Sequence, residues 1–65
     1  MGNPIRASYY KELANIAFRI ENTANALSSL YEKNLLDKEM ISIRKEHLRG
    51  YIKSLEENLK YIERF

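Results

Sequence analysis

Apolar side chains recur at steps of three and four residues through the first half of the chain. No Gly or Pro interrupts the segment from Ile5 to Lys33. At 100° per residue, this spacing places the apolar side chains on one stripe of a helix. The stripe is Ile5, Tyr9, Leu13, Ile16, Ile20, Leu27, Leu30 and Tyr31, with Thr23 and Ala24 filling its one gap. We therefore predict a first helix over about residues 4–33, which Asn3 caps and Pro4 begins.

A second apolar stripe follows and reaches almost to the end of the chain. Its members are Ile41, Leu48, Ile52, Leu55, Leu59 and Ile62. This spacing predicts a second helix over about residues 38–64. Asp37 is well suited to cap it, because a carboxylate accepts hydrogen bonds from the free N–H groups of a first turn. Glu56 and Lys60 lie four residues apart and are expected to form an ion pair on its exposed face.

The residues between the two stripes carry signals for both helix ends. Asn34 tolerates the left-handed backbone conformation that commonly ends a helix. Leu35 follows it, where a hydrophobic contact back to Leu30 is expected. Leu36 before the second cap and Ile41 after it are expected to form a hydrophobic staple.

A connection as short as residues 34–37 joins antiparallel neighbours. We therefore predict one all-α domain over residues 1–65, an antiparallel two-helix hairpin. Two helices that touch along one seam leave much of each apolar stripe in water. The chain also has no Cys with which to form disulfides or thiolate metal sites. Because self-association would cover the remaining apolar surface, we predict a homodimer in which two hairpins form a four-helix bundle.

The second helix carries a further arc beside its main stripe. Gly50 lies inside this arc, and a Gly in a helix interior costs about 1 kcal/mol relative to Ala. It is either a tolerated surface glycine or the mark of a close approach by another chain. The arc is a candidate dimer or partner interface and consists of Met40, Ile43, His47, Gly50, Tyr51, Ser54, Tyr61 and Phe65.

Charge adds one candidate surface. The formal net charge is only +2, which neither requires nor excludes a nucleic-acid partner. Basic residues nevertheless concentrate in the second helix, where Glu46 alone offsets them over ten residues. They form either an ordinary solvated face or a basic patch, and they are Arg44, Lys45, Arg49 and Lys53.

The outer face of the first helix is the third candidate surface. Phe18 is predicted to point away from the seam, among side chains that donate and accept hydrogen bonds. It is either an isolated exposed aromatic or a partner-binding residue. The candidate partner-binding residues are Lys11, Asn15, Phe18, Asn22 and Asn25.

This face and the predicted architecture resemble the Rop family of plasmid copy-number regulators. In that family, short helical hairpins dimerise into four-helix bundles whose paired first helices present an exposed Phe to two RNA loops. Lys11, Asn15, Phe18 and Asn22 resemble that RNA-binding face in residue type. The resemblance covers the architecture and this short pattern, not the whole chain. It implies RNA binding through the Phe18 side of the bundle.

Residues that could carry out catalysis are scarce. His47 is the only His, Asp37 is the only Asp, and there is no Cys. On a helix, His47 would meet Ile43, Arg44, Gly50 and Tyr51, none of which is a carboxylate. Neither a Glu-x-x-His metal pattern nor a His–acid pair is therefore present, and both glycines stand alone rather than in a phosphate-binding loop. We predict no enzymatic activity, no metal and no cofactor.

We accordingly expect the function to reside in a binding surface. The main expectation is a small protein-binding module that acts as an adaptor, inhibitor or regulator of another protein, of the kind that phages and mobile elements often encode. Nucleic-acid binding by a regulator of Rop-like architecture is the first alternative, and a structural subunit of a larger helical assembly is the second. No apolar run approaches the roughly 18 residues of a membrane span, and no signal peptide opens the chain. We therefore expect a cytoplasmic protein that does not contact membranes.

Overall fold

The computed structural model describes residues 2–35 and 37–64 and consists of two α-helices packed against each other. Helix α1 spans Pro4–Glu32 and helix α2 spans Lys38–Glu63. The hairpin is a narrow rod with principal extents of 51 × 18 × 12 Å. The predicted all-α hairpin is confirmed, and each helix ends one residue before its predicted end. Neither described helix contains a stretch long and apolar enough to cross a bilayer.

Both helices begin at the predicted caps. The Asn3 side chain accepts a hydrogen bond from the Arg6 N–H, with 3.1 Å between the atoms. One Asp37 carboxylate oxygen accepts from the N–H groups of Glu39 and Met40, at 3.0 and 3.2 Å. These bonds satisfy donors that have no carbonyl partner in a first helical turn, which is why short polar side chains fix the helix starts.

The turn after α1 has the predicted left-handed residue. Asn34 has φ 56°, and its N–H donates to the Tyr31 carbonyl oxygen at 3.1 Å. The Leu35 N–H donates to the Leu30 carbonyl oxygen at 2.9 Å. This pair of bonds is the Schellman arrangement, which satisfies carbonyls that the end of a helix would otherwise leave open. The predicted hydrophobic staple involves Leu36 and therefore lies outside the described residues.

The face of α1 that packs on α2 follows alternating steps of four and three residues. Ile16 and Thr23 are buried within this row, and its other members are partly covered. A seven-residue repeat of this kind keeps one seam of a helix against a neighbour over a long distance. The row is Tyr9, Leu13, Ile16, Ile20, Thr23, Leu27 and Leu30. The predicted stripe was too wide, because Ile5, Ala24 and Tyr31 are exposed.

The packed face of α2 differs from the prediction at two places, where the residue that faces α1 is the one before the predicted residue. Leu48 and Leu55 lie in it as expected, and Ile41 and Asn58 are buried. Tyr51, which the sequence placed in the neighbouring arc, is half-buried in this row. Ile52 and Leu59 were assigned to the seam but are 41% and 45% exposed. The physical reason is the seven-residue repeat, which turns positions 51 and 58 toward α1 and moves positions 52 and 59 to its edge. The complete row is Ile41, Leu48, Tyr51, Leu55, Asn58 and Ile62.

The open end of the hairpin is joined by polar and aromatic contacts. Asn58 is only 9% exposed, and its side-chain amide donates to the Tyr9 carbonyl oxygen at 3.1 Å. The Tyr9 and Tyr61 rings stack with 6.2 Å between centroids and 4° between planes. The Arg64 guanidinium lies 5.3 Å from the centroid of the Tyr61 ring. These contacts hold the first turns of α1 against the last turns of α2.

Candidate interaction surfaces

Much apolar surface remains exposed on the hairpin. Among the described residues, the buried hydrophobic side chains are Ile16 and Ile41. The chain exposes 5467 Å², whereas a compact monomer of its 7.7 kDa mass would expose about 4,300 Å². The excess of about 1,100 Å² exceeds the roughly 800 Å² that each partner buries in a typical specific complex. The surface is therefore large enough for a complete interface.

One exposed face lies on α2 next to the turn, and we name it the Met40 face. Met40 and Ile43 are 45% and 53% exposed, and with His47 they line an open depression. Asp37, Glu39 and Arg44 form its polar border. The structure thus brings together the first three residues of the predicted arc. The Met40 face consists of Met40, Ile43, His47, Gly50 and Ser54.

The remaining residues of the predicted arc lie elsewhere. Tyr51 is in the seam, and its ring centroid is 6.4 Å from that of His47. Tyr61 is about half exposed but stacks on Tyr9 at the open end. Phe65 lies outside the described residues. The arc is therefore a turn-proximal face with separate contacts at its far end.

Gly50 is not required by packing against any residue that the structure describes. A Cβ built at this position meets no heavy atom within 4 Å. Its backbone is helical with negative φ, so it is not an essential left-handed residue either. If Gly50 allows a close approach, the approaching group must therefore belong to another molecule.

The basic residues of α2 divide between two sides of the helix. Arg44 borders the Met40 face, whereas Lys45 and Arg49 line a second open depression with Tyr31 and Lys38. Arg49 also forms an exposed ion pair with Glu46 at 2.9 Å. Lys53 is exposed one turn beyond Arg49. The four predicted residues therefore do not form a single patch.

The outer face of α1 is arranged as the sequence predicted. Phe18 is 62% exposed and lies two positions from Ile16 and from Ile20, so it points away from the seam. The surrounding side chains are all exposed: Lys11, Asn15, Asn22 and Asn25. We name these five residues the Phe18 face.

The structure has a further exposed surface that the sequence pattern did not predict, and we name it the Tyr10–Leu59 flank. It contains two rows with seven-residue spacing, one on each helix. Tyr31 of the first row lines a depression with Lys38 and Lys45 of the second, so the rows lie side by side. The first row is Tyr10, Ala17, Ala24 and Tyr31, and the second is Lys38, Lys45, Ile52 and Leu59. Assigning Ile52 and Leu59 to the seam concealed this flank, and the spacing of the tyrosines was the available signal.

Among the described residues, no group of three or more His, Cys, Asp or Glu side chains is placed to hold a metal ion. The Glu56–Lys60 pair predicted on α2 is not formed, since the two side chains lie beyond ion-pair distance. Comparison of the chain with protein-family models, curated proteins and solved structures yields no match.

Proposed function

We propose that this chain is a protein-binding module that works as a homodimer, with two hairpins forming a four-helix bundle. The observation that carries the proposal is the set of large hydrophobic side chains that stay exposed on the hairpin, among them Met40, Ile43, Ile52 and Leu59. They lie on a rod whose total surface exceeds that of a compact monomer of its mass by about 1,100 Å². Monomeric proteins rarely leave large contiguous apolar patches in water, and such patches mark interaction sites. The exposed residues lie on opposite flanks of α2, so one flank serves self-association and the other remains for a partner.

The Met40 face is the proposed partner surface. Met adapts its shape to a partner, because its side chain is unbranched and polarisable. Ile43 supplies apolar area beside it, and Asp37, Glu39 and Arg44 supply a polar border. An apolar centre with a polar rim is the usual organisation of a protein interface. The Phe18 face offers a second contact on α1, in which one aromatic ring stands among amide groups.

Affinity capture from a lysate of the source organism tests this assignment. We expect the tagged chain to retain one protein in a stoichiometric amount, and Ile43→Ser and Phe18→Ala to reduce its recovery several-fold. Ile5→Ser is the matched control, since Ile5 is also an exposed isoleucine but lies at the far end of α1 from the turn. Equal recovery with all three variants would contradict the proposed surfaces.

Nucleic-acid binding is the second candidate function, and one observation favours it. Lys38, Lys45 and Arg49 line a single open depression together with the exposed Tyr31. A surface that combines cations with an aromatic side chain suits phosphates and stacked bases. Affinity for an RNA hairpin would then fall steeply between about 50 and 200 mM salt, because phosphate contacts release counterions. Retention of a protein partner with no salt-dependent RNA binding would favour the first candidate.

A further inference from the structure

We propose that the Tyr10–Leu59 flank is covered by a second copy of this chain in antiparallel orientation, with the turn of one hairpin beside the open end of the other. The inference rests on the dimer of the proposed function and specifies its surface. It leaves the Met40 face and the Phe18 face free for a partner.

The first argument is the amount and shape of apolar surface. Tyr10 and Tyr31 are more than half exposed, and Ile52 and Leu59 are close to half exposed. The alanines between the tyrosines on α1 are exposed as well. Small side chains between large ones let another helix approach closely and let the large ones fill its grooves. The rod as a whole exposes about 1,100 Å² more total surface than a compact chain of its mass, which is more than the roughly 800 Å² that each partner of a stable dimer buries.

The second argument is charge, which is distributed unevenly along this side of α2. Lys38 and Lys45 lie near the turn, and Glu56 and Glu63 lie near the open end. Arg49 lies between these two groups on the same side, where it pairs with Glu46. Neither of the two lysines and neither of the two glutamates forms an ion pair with another described residue. Parallel stacking of two hairpins would place lysines beside lysines, whereas antiparallel stacking places lysines beside glutamates. Like charges in contact are unfavourable, so the antiparallel orientation is selected.

One register serves both lysines of each chain. Lys38 and Lys45 are seven residues apart, as are Glu56 and Glu63. An antiparallel pair of α2 helices that brings Lys45 to the partner's Glu56 therefore brings Lys38 to the partner's Glu63. The two-fold axis then crosses α2 near its middle, and every contact occurs twice, as in any isologous interface.

The first experiment places a charge on the flank. Sedimentation equilibrium of the full chain is expected to show a dimer at micromolar concentration. Ile52→Glu should weaken dimerisation about tenfold, because it replaces apolar contact area on the flank with a carboxylate that must lose water. Ile43→Glu is the matched control on the other side of α2, since it alters an isoleucine of similar exposure and should leave the dimer intact. The inference is overturned if Ile43→Glu dissociates the dimer and Ile52→Glu does not.

The second experiment tests the orientation and does not depend on a variant that might fail to fold. Lys45→Glu and Glu56→Lys should each weaken dimerisation by the order of tenfold, since each creates two like-charge contacts across the axis. The double exchange should restore it. Because Lys45 and Glu56 are about 16 Å apart along one helix, at 1.5 Å per residue, restoration can arise only between chains. Failure of the double exchange to restore dimerisation would overturn the antiparallel arrangement.

These outcomes separate the inference from the proposed function. A wild-type chain that sediments as a monomer at every concentration would refute the dimer itself. A wild-type dimer that responds to Ile43→Glu alone would retain the dimer and place the self-contact on the Met40 face instead. Loss of dimerisation with Ile52→Glu and with the single charge reversals, followed by restoration in the double exchange, supports the inference.

Discussion

At the scale of single residues, Asn58 shows how a polar side chain functions inside an apolar seam. Its amide reaches the Tyr9 carbonyl oxygen on the other helix. A carbonyl oxygen has two lone pairs, so it can accept this bond without leaving the α1 ladder. A buried amide of this kind has a suitable acceptor in one alignment of the two helices and loses it in others, which favours that alignment.

Asn58→Asp is therefore expected to destabilise the chain by about 2 kcal/mol, because a carboxylate cannot donate to the carbonyl and is itself costly to bury. Urea unfolding followed by circular dichroism measures the change. Asn22→Asp is the matched control on the exposed outer face of α1 and should change the free energy of unfolding by less than about 0.5 kcal/mol. Equal effects of the two substitutions would show that the Asn58 hydrogen bond does not contribute to stability.

At the scale of helices, local chemistry made the ends predictable and left the seam ambiguous. Asn3 and Asp37 cap as expected, and Asn34 takes the left-handed conformation, because each depends only on neighbouring backbone groups. The packed face of α2 depends on α1. Hydrophobicity alone selected Ile52 and Leu59 over Tyr51 and Asn58, yet the seven-residue repeat shared by both helices determines which positions face inward.

The candidate surfaces were predictable to different extents. The Phe18 face follows from helical spacing within a single helix, and its five residues are all exposed. The basic residues of α2 follow from composition, which does not show that Arg44 borders one side of the helix and Lys45 the other. The Tyr10–Leu59 flank requires knowledge of which rows of the two helices adjoin. That relation is tertiary, so one-helix periodicity did not detect it.

Gly50→Ala provides a prediction at the helix scale. The position is open within the chain, so Ala should stabilise α2 by about 1 kcal/mol through its higher helix propensity. Thermal unfolding of the free protein measures this gain, and Ser54→Ala on the same face is the control, with a smaller expected gain. A loss of stability in Gly50→Ala would mean that another copy already approaches this residue in the free protein. The Met40 face would then be a self-contact.

At the scale of the whole molecule, the rod has a large surface for its mass. Two hairpins laid side by side would cover one flank of each and give a thicker body of the same length. The stability of such a dimer depends on protein concentration, because folding and association are linked by mass action.

The thermal midpoint of the wild-type chain should therefore rise by about 5 °C for each tenfold increase in concentration, given about 0.7 kcal/mol of unfolding enthalpy per residue in a dimer. Thermal scans by circular dichroism at about 222 nm, at protein concentrations between about 5 and 500 μM, would measure how the midpoint depends on concentration. A midpoint that is independent of concentration would indicate a chain that is stable alone.

The hydrogen bond between Asn58 and Tyr9 joins residues far apart in sequence and at the opposite end of the rod from the turn. The relative alignment of the two helices is thus fixed at both ends of the rod, by the turn at one end and by this hydrogen bond at the other. A loop lengthened by a few flexible residues should consequently leave the helices in the same relative position, since the entropy of closing a loop grows only slowly with its length. The turn is therefore a suitable place to graft a peptide tag or a recognition sequence.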